Sequence, residues 1–370
     1  MSKDDIKEHQ LYISSTYLIT KLLFQNRISK NKRKKVIYIA LFSIASLPFR
    51  WIQNIYLLPK KLFKREISKD PIFIIGHWRS GTTHLHYLMY KDEKFITLEA
   101  FQAFFYRIAF ISKGFIRPLL DRLMPLKRPQ DNVEINAYAP TEEEHPLTNI
   151  TEKSGMQSFF FPKNWRYFNR YNLFENISQK KIDSWLNTYN KMLLQIEWFN
   201  KKNKQLLLKN PHNTARISEL IKKYPSAKFI YIHRNPYDVY QSMMHLYNKT
   251  IKSQFLQEVS DEEIKSKIIE CYKKTLKYYI ERREQIPKDQ LIELSYDSLS
   301  NEPLEAIKKI YKKLSIKGIE KLEPKIIDYL NSLGNYKRNK FNNLSSKELQ
   351  KINEKWDFSF KEWKYEKIEN

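Results

Sequence analysis

The chain has 370 residues, 42% of them hydrophobic and 14% aromatic, enough apolar material for one large core or two smaller ones, and wholesale disorder is excluded. It carries 66 basic against 41 acidic side chains, a formal charge of +25, which favours anionic partners such as nucleotides, nucleic acid or acidic membrane surfaces. A single cysteine, Cys271, excludes an internal disulfide framework, and together with the polar N-terminus MSKDDIKEHQ it points to a cytoplasmic protein.

In chain order, residues 1–68 read as a helical N-terminal extension. Within it VIYIALFSIASLPF (36–49) is too short to span a bilayer, and it stands between the basic KNKRKK and RWIQNIYLLPKK. Two readings stand here: a basic, aromatic helix pair lying on a membrane surface as a peripheral contact, or a helical hairpin capping the core. IFIIG (72–76), a β-branched run between Asp-Pro and Gly, predicts a buried strand, followed by the loop GHWRSGTT and a helix over 82–91. Gly76 and Gly81 have the spacing of a phosphate-binding loop in a chain with only six glycines. Backbone N–H groups and the helix N-terminus would form an anion nest, to which Ser80, Thr82 and Thr83 add hydroxyls and Arg79 a charged fork. A nucleoside triphosphate needs a Lys after the second glycine, and Thr82 stands there. A shorter donor with one phosphate and one transferable group suits the loop better.

Residues 92–203, about, form an aromatic helical insertion, readable as a lid over an apolar acceptor pocket or as packing that closes the fold. It contains APTEEEHPL (139–147), where adjacent carboxylates beside His145 make a candidate general base; an acidic solvated turn is the alternative. QLLLK (205–209), KFIYIH (228–233) and QLIELS (290–295) are three further strands, separated by helical patterns over 213–224, 236–248 and 261–285. The fold class is therefore α/β: a three-layer, P-loop-like fold with a central parallel sheet flanked by helices, ligands lying beyond the carboxyl ends of its strands. Lys209 and His212 follow one strand, where Asn210 or Asn213 can equally serve as a helix N-cap. Arg234 ends another strand, Pro236 opens the next helix, and Ser242 lies eight residues beyond Arg234, able to pinch a second phosphate. The main domain runs over 69–345, with a basic segment GNYKRNKF (334–341) near its end and a tail, 346–370, expected to pack on it. His77, His84 and His86 flank the glycine loop without Cys or Asp partners, so no metal site is expected. No helix-turn-helix, zinc or RNA-sheet signature appears, so no nucleic acid partner is expected.

WRSGTTH, YIHRNPYDVYQS and IELSYDSLSNEPLEAIKKIYKKLSI (292–316), in that order, resemble the sulfotransferases that use 3′-phosphoadenosine 5′-phosphosulfate (PAPS). The resemblance covers roughly residues 70–340 and is nearest to the bacterial branch with R-S-G-T-T. It implies PAPS as donor, adenosine 3′,5′-bisphosphate (PAP) as product, and no metal. It further implies that Arg79, Ser80, Gly81, Thr82 and Thr83 hold the 5′-phosphate and sulfonate, with Arg79 stabilising charge on the bridging oxygen. Arg234 and Ser242 would hold the 3′-phosphate, Tyr296 would lie near the adenosine, and Lys337 and Arg338 would close over the 3′-phosphate. Lys209 belongs to a Lys-x-Pro segment near the site and would help neutralise the sulfonate. Tyrosine-directed relatives use a Glu base, which favours Glu142 and then Glu144; vertebrate cytosolic relatives use His, which makes His145 the rival. Those cytosolic relatives carry an adenine-stacking Trp where this chain has His84, so adenine is held differently here. The acceptor implied is a hydroxyl of a small molecule, a sterol or lipid alcohol before a glycan. A P-loop kinase, the remaining alternative, would want a Lys after Gly81 and an acidic residue at a strand end.

Overall fold

The computed structural model describes residues 9–63, 66–124, 135–200, 204–333 and 344–368. Lys337 and Arg338 lie outside the described residues. Helices α1 (Thr16–Gln25), α2 (Arg33–Ala45) and α3 (Leu47–Phe63) precede β1 (Ile72–Ile75), α4 (Thr82–Tyr90) and the two-residue β2 (Phe95–Ile96). Then come α5 (Ala100–Phe105), α6 (Ala109–Ser112), α7 (Ile116–Leu123), α8 (Glu144–Ile150), α9 (Trp165–Leu173) and α10 (Gln179–Asn200). β3 (Gln205–Lys209), α11 (Ile217–Lys223), β4 (Lys228–His233), α12 (Pro236–Leu246), α13 (Lys252–Gln254) and α14 (Asp261–Arg282) follow. β5 (Leu291–Ser295) is succeeded by α15 (Tyr296–Asn301), α16 (Pro303–Lys313), α17 (Ile319–Leu333), α18 (Ser346–Lys355) and α19 (Asp357–Trp363).

The five strands pair in the order β2-β3-β1-β4-β5, and every pairing is parallel. β1 lies in the middle and is buried on both faces, which is why it reads as an unbroken apolar run rather than an alternating one. The two faces nevertheless differ, because side chains alternate along a strand. Ile72, Ile74, Ile230 and Ile232 share a core with Leu85 and Leu88 of α4, Ile307 and Ile310 of α16, and Ile326 of α17. Phe73 stacks instead on Phe229, and Tyr231 stacks on Tyr279 of α14 at 3.8 Å. Helices thus cover both faces. β2 escapes sequence reading because two residues are too few for alternation to show. The helix expected over 213–224 is divided into a 3-10 turn, Pro211–Ala215, and α11, and the one expected over 236–248 ends at Leu246 before a π-helical turn, Tyr247–Ile251.

The chain divides into two compact units. One comprises Met1–Lys69, Thr97–Lys204 and Asn248–Ser260; the other, which holds the whole sheet, comprises Asp70–Ile96, Gln205–Tyr247 and Asp261–Asn370. The first unit is helical and has its own cores, one built from Leu11, Leu18, Leu22, Ile39, Phe160, Phe161 and Phe168. In it, backbone hydrogen bonds from Ala100 to the Ala139 carbonyl and from Thr141 to the Leu98 carbonyl lash residues 98–101 to 137–141. That lashing fixes where α8 and its acidic start begin. No single described helix is long and apolar enough to cross a membrane.

Candidate active site

The glycine loop sits at the carboxyl end of β1 and is tightened by close backbone approach. Gly76 has φ +143°, and a Cβ there would stand 2.4 Å from the Ile232 carbonyl oxygen of β4. Thr214 Oγ1 accepts from the Gly76 N–H at 2.9 Å and donates to the Gly76 carbonyl at 3.0 Å, pinning the strand end. Arg79 adopts φ +69°, and Gly81, which caps α4, has φ +94°. A Cβ on Gly81 would lie 2.4 Å from the ring of Tyr296, so only glycine lets that ring reach the loop. Beyond it α4 begins at Thr82, its first-turn N–H groups lacking intrahelical partners. Ser80 and Thr82 are buried, Thr83 partly exposed.

The second motif meets this loop directly. Arg79 Nε donates to Ser242 Oγ at 2.9 Å, and Arg234 Nη1 donates to the Arg79 carbonyl at 3.1 Å. The Arg234 guanidinium also lies 4.3 Å from the Tyr296 ring centroid and pairs with Asp238 at 3.1 Å. Pro236 opens α12, whose N-cap Asn235 accepts from the Tyr237 N–H at 3.0 Å; the helix then brings buried Ser242 back under the loop two turns later. Three stretches far apart in sequence are therefore interlocked. Lys209, at the end of neighbouring β3, pairs in register with Ile74 and is buried. At Asn210 the capping reading is realised, its side chain accepting from the His212 N–H at 3.0 Å, while Asn213 accepts from Arg216 at 3.1 Å.

Burial governs the histidines around this edge. His77, edge-on to Trp78 and Tyr272, is pushed down to about 4, mainly by burial. His86 is held well below the usual imidazole range by burial and then by the charge of Lys209. His233 is lowered to about 4 by burial; its Nδ1 lies 2.8 Å from the Tyr365 hydroxyl and its ring stacks on Trp363. Thr214, Trp363 and Tyr365 are not marked by any motif in the sequence. Thr214 offers no spacing signal, and the two aromatics sit in a Lys- and Glu-rich tail that carries no phosphate-site motif.

The base candidates belong to the helical unit. Glu144 is fully buried at the start of α8, where its carboxylate accepts from Ser154 Oγ at 2.7 Å and the Gly155 N–H at 3.2 Å. Glu143, equally buried, accepts from the Tyr189 hydroxyl at 2.8 Å. Glu142 precedes the helix and retains partial exposure. His145 Nδ1 lies 3.2 Å from Gln10 Oε1, an atom that only accepts, so Nδ1 is the donor in this contact. Lys337 and Arg338 fall outside the described residues. Among the described residues, no group of three or more His, Cys, Asp or Glu could hold a metal ion.

A P-loop-like α/β unit that gathers two arginines, four hydroxyls (Ser80, Thr82, Thr83 and Ser242) and a helix N-terminus on one sheet edge defines a class: proteins built to bind phosphate-like groups. The sequence profile of the sulfotransferase family matches residues 71–320, and the chain belongs to that family and is a sulfotransferase. It is 26% identical over 339 residues to the omega-hydroxy-beta-dihydromenaquinone-9 sulfotransferase Stf3 of Mycobacterium bovis, covering 91% of this chain and 86% of that one. Its fold is that of the crystal structure of sulfotransferase STF9 from Mycobacterium avium (TM-score 0.69, 17% identity, 97% of this chain and 93% of that one). Sulfotransferase STF1 from Mycobacterium tuberculosis H37Rv is similar as well (TM-score 0.62, 18% identity, 89% and 88% of the two chains).

Proposed function

We propose that the protein moves the sulfonate of PAPS to a hydroxyl of a lipid or sterol alcohol, releasing PAP without a metal. The observation that carries this reading is the interlock in which Arg79 donates to Ser242 at 2.9 Å and Arg234 to the Arg79 carbonyl at 3.1 Å. Two anion sites on one strand edge suit a nucleotide phosphorylated at both 5′ and 3′ positions; a nucleoside triphosphate would leave the second idle.

PAPS supplies a sulfonyl group on a phosphate leaving group, and the chain's residues do the rest. Arg79, Ser80, Thr82, Thr83 and the Gly81 backbone hold the 5′-phosphate and sulfonate oxygens, and Arg79 stabilises charge growing on the bridging oxygen. Lys209 adds positive charge from the next strand. Arg234 and Ser242 hold the 3′-phosphate, and the Asp238 pair keeps the Arg234 fork oriented. Tyr296, packed on Gly81 and Arg234, supports the adenosine side. Glu142 takes the proton of the acceptor hydroxyl. Its partial exposure supports it over Glu144, whose carboxylate is sealed against Ser154 and Gly155. His145, held through Nδ1 against Gln10, is the second choice. The lipid acceptor is supported by the family relative named for a hydroxylated menaquinone lipid.

The test is calorimetric titration with PAP in the absence of magnesium, for the wild type and Arg234→Ala. Tight binding that the variant loses supports the donor assignment. No binding, or ATP binding that requires magnesium, overturns it. Glu142→Gln should then bind PAP normally yet lose about 10²–10⁴ in kcat; the same loss in His145→Asn instead would transfer the role.

A further inference from the structure

We propose that the outward faces of α2, α3 and α7, all in the helical unit, form a docking surface for an anionic lipid bilayer. This goes beyond the transfer reaction and does not depend on it. α3 is inverted in polarity. Its inward stripe is Arg50, Gln53 and Leu57, with Arg50 donating to the Ser43 carbonyl at 2.8 Å and Gln53 to the Tyr106 carbonyl at 2.9 Å. Its outward arc carries Trp51 (69% exposed), Ile52, Ile55 (70%), Tyr56, Leu58 and Leu62. A helix facing water would place those residues the other way round. α2 turns Lys35, Ile39 and Ser43 inward and likewise leaves Ile37, Leu41 and Ile44 outward. On α7, Ile116 and Leu120 pack onto the core around Phe101 and Phe199, leaving Phe115, Leu119 and Leu123 outward at one-turn intervals.

Charge selects the occupant. Residues 9–65 contain 12 Lys and Arg and no Asp or Glu. Exposed Lys30, Arg33 and Lys34 open the pair of helices, and Lys60 and Lys61 close it. Basic residues bracketing an apolar, Trp- and Tyr-bearing face match an acidic headgroup layer over hydrocarbon. A second copy of the chain would instead oppose two basic clusters. The surface lies in the plane of the bilayer and does not cross it: α2 and α3 bend by 45° at their junction, and crossing would carry buried Lys35 and Arg50 through hydrocarbon.

The experiment is flotation of the full chain with phosphatidylcholine vesicles, with and without phosphatidylglycerol, for the wild type and for the double variant Trp51→Asp, Ile55→Asp. Both sites are exposed, and unchanged circular dichroism and melting would show that the variant folds. Expected is flotation with the anionic vesicles that weakens in high salt and drops at least about tenfold in the variant. A wild type that stays unbound, a variant that floats equally well, or a wild-type dimer that the variant converts to monomer without vesicle binding would each overturn the proposal.

Discussion

Gly81 meets two constraints at once, a φ of +94° and the Tyr296 ring standing where its Cβ would go. Gly81→Ala is expected to lose about 1–3 kcal/mol of stability and to weaken PAP binding. Adding Tyr296→Ala should recover the steric part and leave the backbone part. Denaturant midpoints of the single and double variants measure both, and an unchanged Gly81→Ala would contradict the packing. The buried histidines set an acid limit on the same unit. The folded protein holds His77 and His233 down to about 4, whereas an unfolded chain protonates them near the ordinary imidazole value of 6.5. Protons therefore favour the unfolded state, so stability is full above about pH 6.5 and declines as pH falls toward 4. For His77 alone the loss amounts to about 3 kcal/mol. Urea midpoints between pH 7.5 and 4.5 test this; a flat profile would mean the imidazoles are not sealed from water.

Elements were legible where their patterns are long enough to repeat. β1, β3, β4 and β5 stand within a residue or so of the runs that predict them. β1, β3 and β4 have buried apolar centres, while β5, at the sheet edge, is marked by its Leu and Ile residues although only Leu294 is buried. β2 is two residues long and shows no pattern. The 213–224 helix is shortened because Asn210 and Pro211 start a 3-10 turn that the periodicity alone does not reveal. The C-terminal helices were opaque for another reason: their contacts are with α14 and β4, far off in sequence. Trp356, fully buried, stacks on Tyr272 at 3.8 Å and donates from Nε1 to the Ile269 carbonyl at 3.0 Å. Trp356→Ala is expected to cost about 3–5 kcal/mol, read from the denaturant midpoint. A loss below about 1 kcal/mol would mean that α18 and α19 contribute little to the sheet unit.

At the scale of the whole molecule, a charge of +25 favours anionic ligands before any contact forms. PAP affinity should fall several-fold as salt rises from about 50 to about 500 mM, because long-range attraction is screened while contacts to buried groups are not. An affinity indifferent to salt would assign the binding to the contacts alone. The sequence by itself determined the parallel α/β class and the glycine loop after β1, since alternating strand and helix patterns and the Gly76–Gly81 spacing are local. Tertiary structure decided the rest. It brought Arg79 onto Ser242 across 163 positions and Thr214 onto Gly76 across 138, sealed Glu144 against Ser154, and turned the apolar side of α3 outward. Such contacts follow from strand order and from which helix face meets a core, and neither is written in local periodicity.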